Sequence, residues 1–139
     1  MEQLESMKHT NTQNKQIAGN YLPAIICFVI LVGIDQGTKY LVTQNMELFS
    51  SIPVIQEVFE IHYIQNPGAA WGILAHSQIL FYIVTVIAFI VGIWFYIRCA
   101  RFKEFLNFRI LMVLILAGAM GNFIDRIRFQ YVIDFCTLN

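Results

Sequence analysis

A mainly α, polytopic membrane helix bundle with a small extracytoplasmic β element is the fold this sequence predicts. Three observations carry it. Of the 139 residues, 58% are hydrophobic and only 13% charged, whereas a soluble domain carries roughly 25% charged residues. Three apolar stretches approach or exceed the roughly 20 residues that a bilayer requires. Between the first two lies a short segment with the period-two alternation of a strand.

In chain order, residues 1–19 are rich in Gln, Asn and Lys and read as a solvated cytoplasmic tail without a secretory cleavage site. Span one covers residues 20–42. Its inner part is uncharged up to Ile34, and its outer end carries Asp35, Gln36, Thr38 and Lys39. Residues 43–77 read as an extracytoplasmic β and amphipathic segment. Residues 59–64 alternate apolar and polar side chains, and Asn66, Pro67 and Gly68 make a turn signal. Residues 69–74, small and apolar around Trp71, suit the membrane interface. Span two covers 78–97, a loop covers 98–109, and span three covers 110–127. Residues 128–139 form a second extracytoplasmic segment. The whole reads as a single membrane domain.

Orientation follows from the Lys and Arg bias. The loop after span two holds Arg98, Arg101, Lys103 and Arg109, while residues 43–77 hold no Lys or Arg. The loop therefore faces the cytoplasm, and so does the N-terminus. Asp35, Lys39 and Asp125 then fall at the outer face, at a similar depth.

Composition and motifs exclude several classes. A formal net charge of zero gives no support to nucleic-acid binding. Cys27, Cys99 and Cys136 are far apart and form no CxxC, so they read as small apolar fillers. No HExxH, phosphate loop or Ser/His/Asp order occurs, so no metal or cofactor is expected. His62 and His76 read as surface or interface residues. Nothing implies an oligomer.

The chemistry-bearing residues converge on Asp125. An ionisable residue closing a membrane-grade helix is costly and is a functional candidate by default. Gly118, Asn122 and Asp125 share one helix face, and Gly121 lies four residues before Asp125. Small residues permit close approach of another backbone, and Asn122 can bond the aspartate or a substrate carbonyl. Arg126 follows as a headgroup anchor or a site residue. Asp35 and Lys39, four apart with the acid first, suit an ion pair, as structural support or to orient substrate. Asn66 reads as an Asx turn residue or a site residue. Two neighbouring carboxylates can share a proton, one acting as base on water and the other as acid. Asp134 is the only carboxylate after Asp125, so on residues alone it is the available partner.

Four blocks now stand in order: Asp35-Gln36-Gly37-Thr38-Lys39, Asn66-Pro67-Gly68-Ala69-Ala70-Trp71-Gly72, Gly118 through Arg126, and Val132-Ile133-Asp134-Phe135. This set resembles bacterial lipoprotein signal peptidases, the type II signal peptidases. The Gly-Asn-x-x-Asp-Arg core of the third block is the most diagnostic. The resemblance implies four membrane helices, both termini cytoplasmic, in the bacterial inner membrane. It implies an aspartic endopeptidase working at the outer face. The implied substrates are prolipoproteins bearing diacylglycerol on a cysteine, cut just before that cysteine, with membrane lipids and globomycin-type inhibitors as further partners. Asp125 matches the first catalytic aspartate. Asn66, Asn122 and Arg126 match positions near the site, with Gly68 and Gly121 beside them. Asp35 and Lys39 match a supporting block, and Asp134 a structural aspartate. The second catalytic aspartate belongs to a later Phe-Asn-x-Ala-Asp motif opening a fourth helix, and neither occurs in residues 1–139. A fragment or an inactive form is therefore the expectation, ahead of substitution by Asp134. The alternative class is a small non-enzymatic membrane protein, a binding or transport subunit, with Asp35, Lys39 and Asp125 lining a polar path.

Overall fold

A computed structural model describes residues 1–55, 59–68, 78–100 and 103–138. Three helices dominate: α1 (Glu2–Asn45), α2 (Gln78–Cys99) and α3 (Leu106–Phe129), the last entered through one 3-10 turn, Lys103–Phe105. Three strands, β1 (Ser51–Ile55), β2 (Phe59–Asn66) and β3 (Val132–Leu138), form one sheet.

The stretches Tyr21–Asn45, Gln78–Cys99 and Leu106–Phe129 have mean hydropathies of 1.7, 2.5 and 1.8 and are long enough to cross a membrane. A helix satisfies its own backbone hydrogen bonds, which the bilayer interior demands. Large side chains such as Ile25, Val29, Ile90 and Ile115 face outward, where lipid rather than water is the compatible solvent. α3 packs against both other helices. Tyr96, Ala100 and Val113 form a core with Tyr21, Ala24 and Phe28 packed against it.

Element bounds differ from expectation in three places. Residues 1–19 belong to α1, which starts at Glu2, although only the part from Tyr21 is apolar enough to span. Gln, Lys and Glu are good helix formers, so polarity there does not end the helix. Span three starts at Leu106 rather than 110, which shortens the loop read as 98–109. The reason is Arg109, counted as a loop cation. It lies inside α3, 9% exposed, donating from Nη2 to the Tyr96 hydroxyl at 3.1 Å.

The third difference is β3. Residues 132–138, expected only as part of an outer segment, make a strand antiparallel to β2, with Asn66 opposite Val132 and Phe59 opposite Leu138. β1 pairs with the other edge of β2, Ser51 opposite His62. Pro53 sits on β1, an edge strand, where a missing N–H is tolerated. The interfacial reading of residues 69–74, together with His76, lies outside the described residues.

Candidate active site

α1, α3 and β3 meet at one end of the bundle, and each supplies one side of a polar cluster. Gln36 and Lys39 project from α1 and Asp125 from the last two turns of α3. Asp125 is 0% exposed and Lys39 4%. A carboxylate buried to this degree needs a countercharge and hydrogen bonds. Lys39 Nζ lies 2.8 Å from Asp125 Oδ2 and 3.1 Å from Asp35 Oδ2. It also donates to Asn122 Oδ1 at 3.1 Å. An ammonium has three donors, and here they face three acceptors.

The Gln36 amide completes the enclosure. Its Nε2 donates to Asp125 Oδ1 at 3.0 Å, to Asp35 Oδ2 at 3.1 Å and to the Gly121 carbonyl at 3.2 Å. The Ile133 backbone N–H donates to Asp125 Oδ2 at 3.1 Å. That donor arrives because Gln130 adopts a left-handed conformation, φ 67°, and caps α3 by bonding the Arg126 carbonyl at 3.0 Å. The chain then turns at once into β3. Asp125 is thus held by two helices and a strand.

Gly121 sets the spacing between α1 and α3. A Cβ at that position would overlap the Asp35 carboxylate, which Lys39 and Gln36 hold in place. Gly118, on the face expected to admit a neighbour, has open space around it. Gly121→Ala is therefore expected to destabilise the protein by about 1–3 kcal/mol, as overpacking does. Gly118→Ala should be neutral or gain about 0.5–1 kcal/mol from helix propensity. Unfolding in mixed detergent micelles measures both, and equal values for the two variants would contradict the packing argument.

A second cluster sits on the sheet. Asn66 Nδ2 donates to Asp134 Oδ2 at 2.8 Å, and Asn66 Oδ1 accepts from the Gly68 N–H at 2.8 Å. Asn66 therefore makes the Asx turn and at the same time ties β2 to β3. Gly68 takes φ 102°, a left-handed value that follows Pro67 as a type II turn requires. Asp125 and Asp134 have no hydrogen-bond partner in common among the described residues. Arg126 stands close enough to Asp134 and Asp125 to interact electrostatically with both carboxylates. Its guanidinium lies 4.2 Å from the Phe81 ring centroid, and its carbonyl accepts from the Tyr82 hydroxyl at 3.1 Å, so it fastens α3 to α2. Asn122 bonds Lys39 rather than the aspartate. Beside the sheet, burial, with Tyr63 and Asp125 nearby, pushes the Tyr131 phenol above its usual value.

Gln36 and the Ile133 N–H were the members that sequence reasoning missed. Gln36 is an uncharged polar group at the end of an apolar helix, which was a signal. The Ile133 amide had none, since any residue supplies one. Among the described residues no group of three His, Cys, Asp or Glu side chains is placed to hold a metal. Chemically, the cluster offers a desolvated carboxylate whose Oδ1 takes one described hydrogen bond, from Gln36. An oxygen with a further lone pair can accept a proton from water.

Comparison with known proteins bears on this geometry. The family model for signal peptidase (SPase) II matches residues 27–139. The chain is 47% identical to the lipoprotein signal peptidase of Bacillus subtilis (strain 168) over 108 residues, covering 77% of this chain and 68% of the relative. It is 38% identical to that of Clostridioides difficile (strain 630) over 111 residues, 80% and 73% of the two chains. It is also similar to a solved bacterial membrane enzyme at 38% identity and a TM-score of 0.75, covering 84% of this chain and 74% of that one.

Proposed function

Because the chain belongs to the signal peptidase II family, whose model spans residues 27–139, we propose that it removes signal peptides from diacylglyceryl-modified prolipoproteins, cutting before the lipidated cysteine. The chemistry is that of a membrane aspartic endopeptidase. The observation that carries the assignment to Asp125 is its burial, 0% exposed, with the Lys39 ammonium 2.8 Å away. An ionisable pair buried at the end of a membrane-grade helix is a functional-site candidate by default.

In this proposal Asp125 accepts a proton from water while the water oxygen attacks the scissile carbonyl carbon. The partner carboxylate is the aspartate of the Asn-x-Ala-Asp motif that the family resemblance implies. It protonates the carbonyl oxygen, giving a tetrahedral diol. Collapse of the diol re-forms the carbonyl, breaks the C–N bond and protonates the leaving amine. Lys39 and Gln36 hold Asp125 against rotation, and Asp35 steadies Lys39. Asn122 orients Lys39, Gly121 allows the helices to close, and Asn66, Gly68 and Asp134 fix the sheet above the site. Arg126 braces α3. The site faces the outside of the bacterial cytoplasmic membrane in this reading, since Arg98, at the end of α2, lies at the opposite end of the bundle and the loop that follows it is rich in Arg and Lys. Globomycin-type inhibitors would occupy the same cleft.

The test expresses the gene through to its stop codon in cells stripped of their own prolipoprotein-processing enzyme. A diacylglyceryl-modified prolipoprotein should be converted to a form beginning at the lipidated cysteine, and a globomycin-type inhibitor should block conversion. Precursor accumulating as it does without the gene overturns the reading.

A further inference from the structure

Phe49 stands where a bulged strand ordinarily has glycine. Its φ is 68°, a left-handed value that a bulky side chain rarely takes. Its N–H donates to the Tyr63 carbonyl at 2.9 Å, and the Tyr63 N–H donates to the Ser50 carbonyl at 3.1 Å. Phe49 and Ser50 thus share one partner, in a bulge whose left-handed first position glycine normally fills. The ring finds little packing within the chain, since Phe49 is 70% exposed. A strained residue whose side chain points out of the fold directs attention to a partner outside it.

The sheet behind Phe49 is amphipathic. Directly opposed residues of antiparallel strands share a face. Ile52 lies opposite Ile61 and Ile55 opposite Phe59, while Ser51 lies opposite His62 and Pro53 opposite Glu60. The register shift between Pro53 and Ile55 turns Ile55 onto the face of Ile52, which strict alternation would have prevented. One face is therefore apolar across both strands, and the other carries Ser51, Glu60 and His62. The apolar face continues through Tyr63 to Ile133, which lies opposite Gln65, and Tyr63 and Ile133 are buried. At β1 the same face is bare, with Ile52 50% and Ile55 55% exposed.

Depth and continuity indicate what covers it. β3 packs on α1 and α3, whereas β1 packs chiefly on β2, two strand spacings, about 10 Å, from β3. The Ile133 N–H on Asp125 holds the sheet level with the last turns of α3, inside the Leu106–Phe129 stretch that is apolar enough to span. β1 thus overhangs the helices at the depth of a membrane surface. Tyr40 and Leu41, near the end of α1, are exposed on its lipid-facing wall. From there the chain passes the helix end at Asn45 to Leu48 and Phe49, also exposed. No charged side chain interrupts residues 48–55. Aromatic rings and apolar faces of this kind settle at the headgroup boundary.

We propose that Phe49, Ile52 and Ile55 seat the sheet in the bilayer interface on the side of Asp125, with Ser51, Glu60 and His62 turned to water. The seat is independent of the peptidase reading and is measured without cleavage.

The chain with Cys27, Cys99 and Cys136 replaced by alanine is spin-labelled at one new cysteine at a time: Ile52→Cys, Ile55→Cys, Ser51→Cys or His62→Cys. Each is placed in vesicles of phosphatidylcholine and phosphatidylglycerol. Collisions with oxygen, which concentrates in lipid, are compared with collisions with a water-soluble nickel chelate. Labels at 52 and 55 should favour oxygen several-fold over labels at 51 and 62, and should lie about 5–10 Å into the interface. Two positions per face keep the test if one label unsettles its strand. Adding Phe49→Gly, which suits the left-handed backbone and removes the ring, should bring the label at 52 closer to water without lowering Tm. Nickel access at 52 and 55 equal to that at 51 and 62 overturns the proposal. Shielding of 52 and 55 from both reagents would mean that protein covers the face, and spin–spin broadening between copies would mean a dimer. Either result overturns it, as does a depth at 52 unmoved by Phe49→Gly.

Discussion

Asp125→Asn is expected to lower prolipoprotein cleavage by about 10²–10⁴-fold, the range for loss of a positioned general base, with the protein still inserted and folded. Asparagine has nearly the same shape. Its oxygen can take the place of Asp125 Oδ2, which accepts from Lys39 and Ile133. Its NH2 group must then face the Gln36 amide, now bonded to Asp125 Oδ1, and two donors meet. A stability loss of about 1–3 kcal/mol follows from that mismatch. The discriminating comparison is Asp134→Asn, whose carboxylate meets Asn66 on the sheet. Cleavage by a full-length protein, followed with a lipidated peptide and corrected for folded fraction, should fall for Asp125→Asn and stay near wild type for Asp134→Asn. If Asp134→Asn abolishes cleavage in folded protein, the base is wrongly assigned and the Asp125–Asp134 pairing returns.

That comparison also marks what the residues could reveal unaided. The three spans were legible because lipid selects for composition over a whole helix, and local errors cannot hide a stretch such as Gln78–Cys99 with mean hydropathy 2.5. The Asp35–Lys39 pair was legible because i and i+4 meet on any helix. Spacing could not show that Lys39 also reaches Asp125, because that depends on how closely α1 and α3 approach. Gly121 carries that information, but only once its neighbour is known to be Asp35. β3 was hidden for a related reason. Its partner β2 lies some 70 residues earlier in the chain, with two membrane helices between them, and no turn announces the pairing. Arg109 misled because a cation near a helix end ordinarily marks the loop. Here the Tyr96 hydroxyl and ring let it enter the helix.

Lys39→Met is expected to be the most destabilising single change, about 3–5 kcal/mol, the cost of stripping one partner from a buried ion pair. Methionine fills a similar volume, so the loss is electrostatic rather than a cavity. Without the ammonium, Asp35 and Asp125 are two carboxylates held near one Gln36 amide, and Asn122 loses its donor. The charge argument makes a further claim that simple packing damage does not. Adding Asp125→Asn to Lys39→Met removes the more deeply buried of the two uncompensated charges, so the double variant should be more stable than Lys39→Met alone, with a coupling of about 0.5–3 kcal/mol. Lys39→Arg keeps the charge but replaces a compact ammonium by a planar fork, which cannot meet three acceptors arranged around one atom. It should recover part of the stability and little of the activity. Reversible unfolding in mixed micelles gives all four free energies. A Lys39→Met value within about 1 kcal/mol of wild type, the scale of an exposed ion pair, would mean that water reaches the cluster. The desolvated base on which the mechanism depends would then not exist.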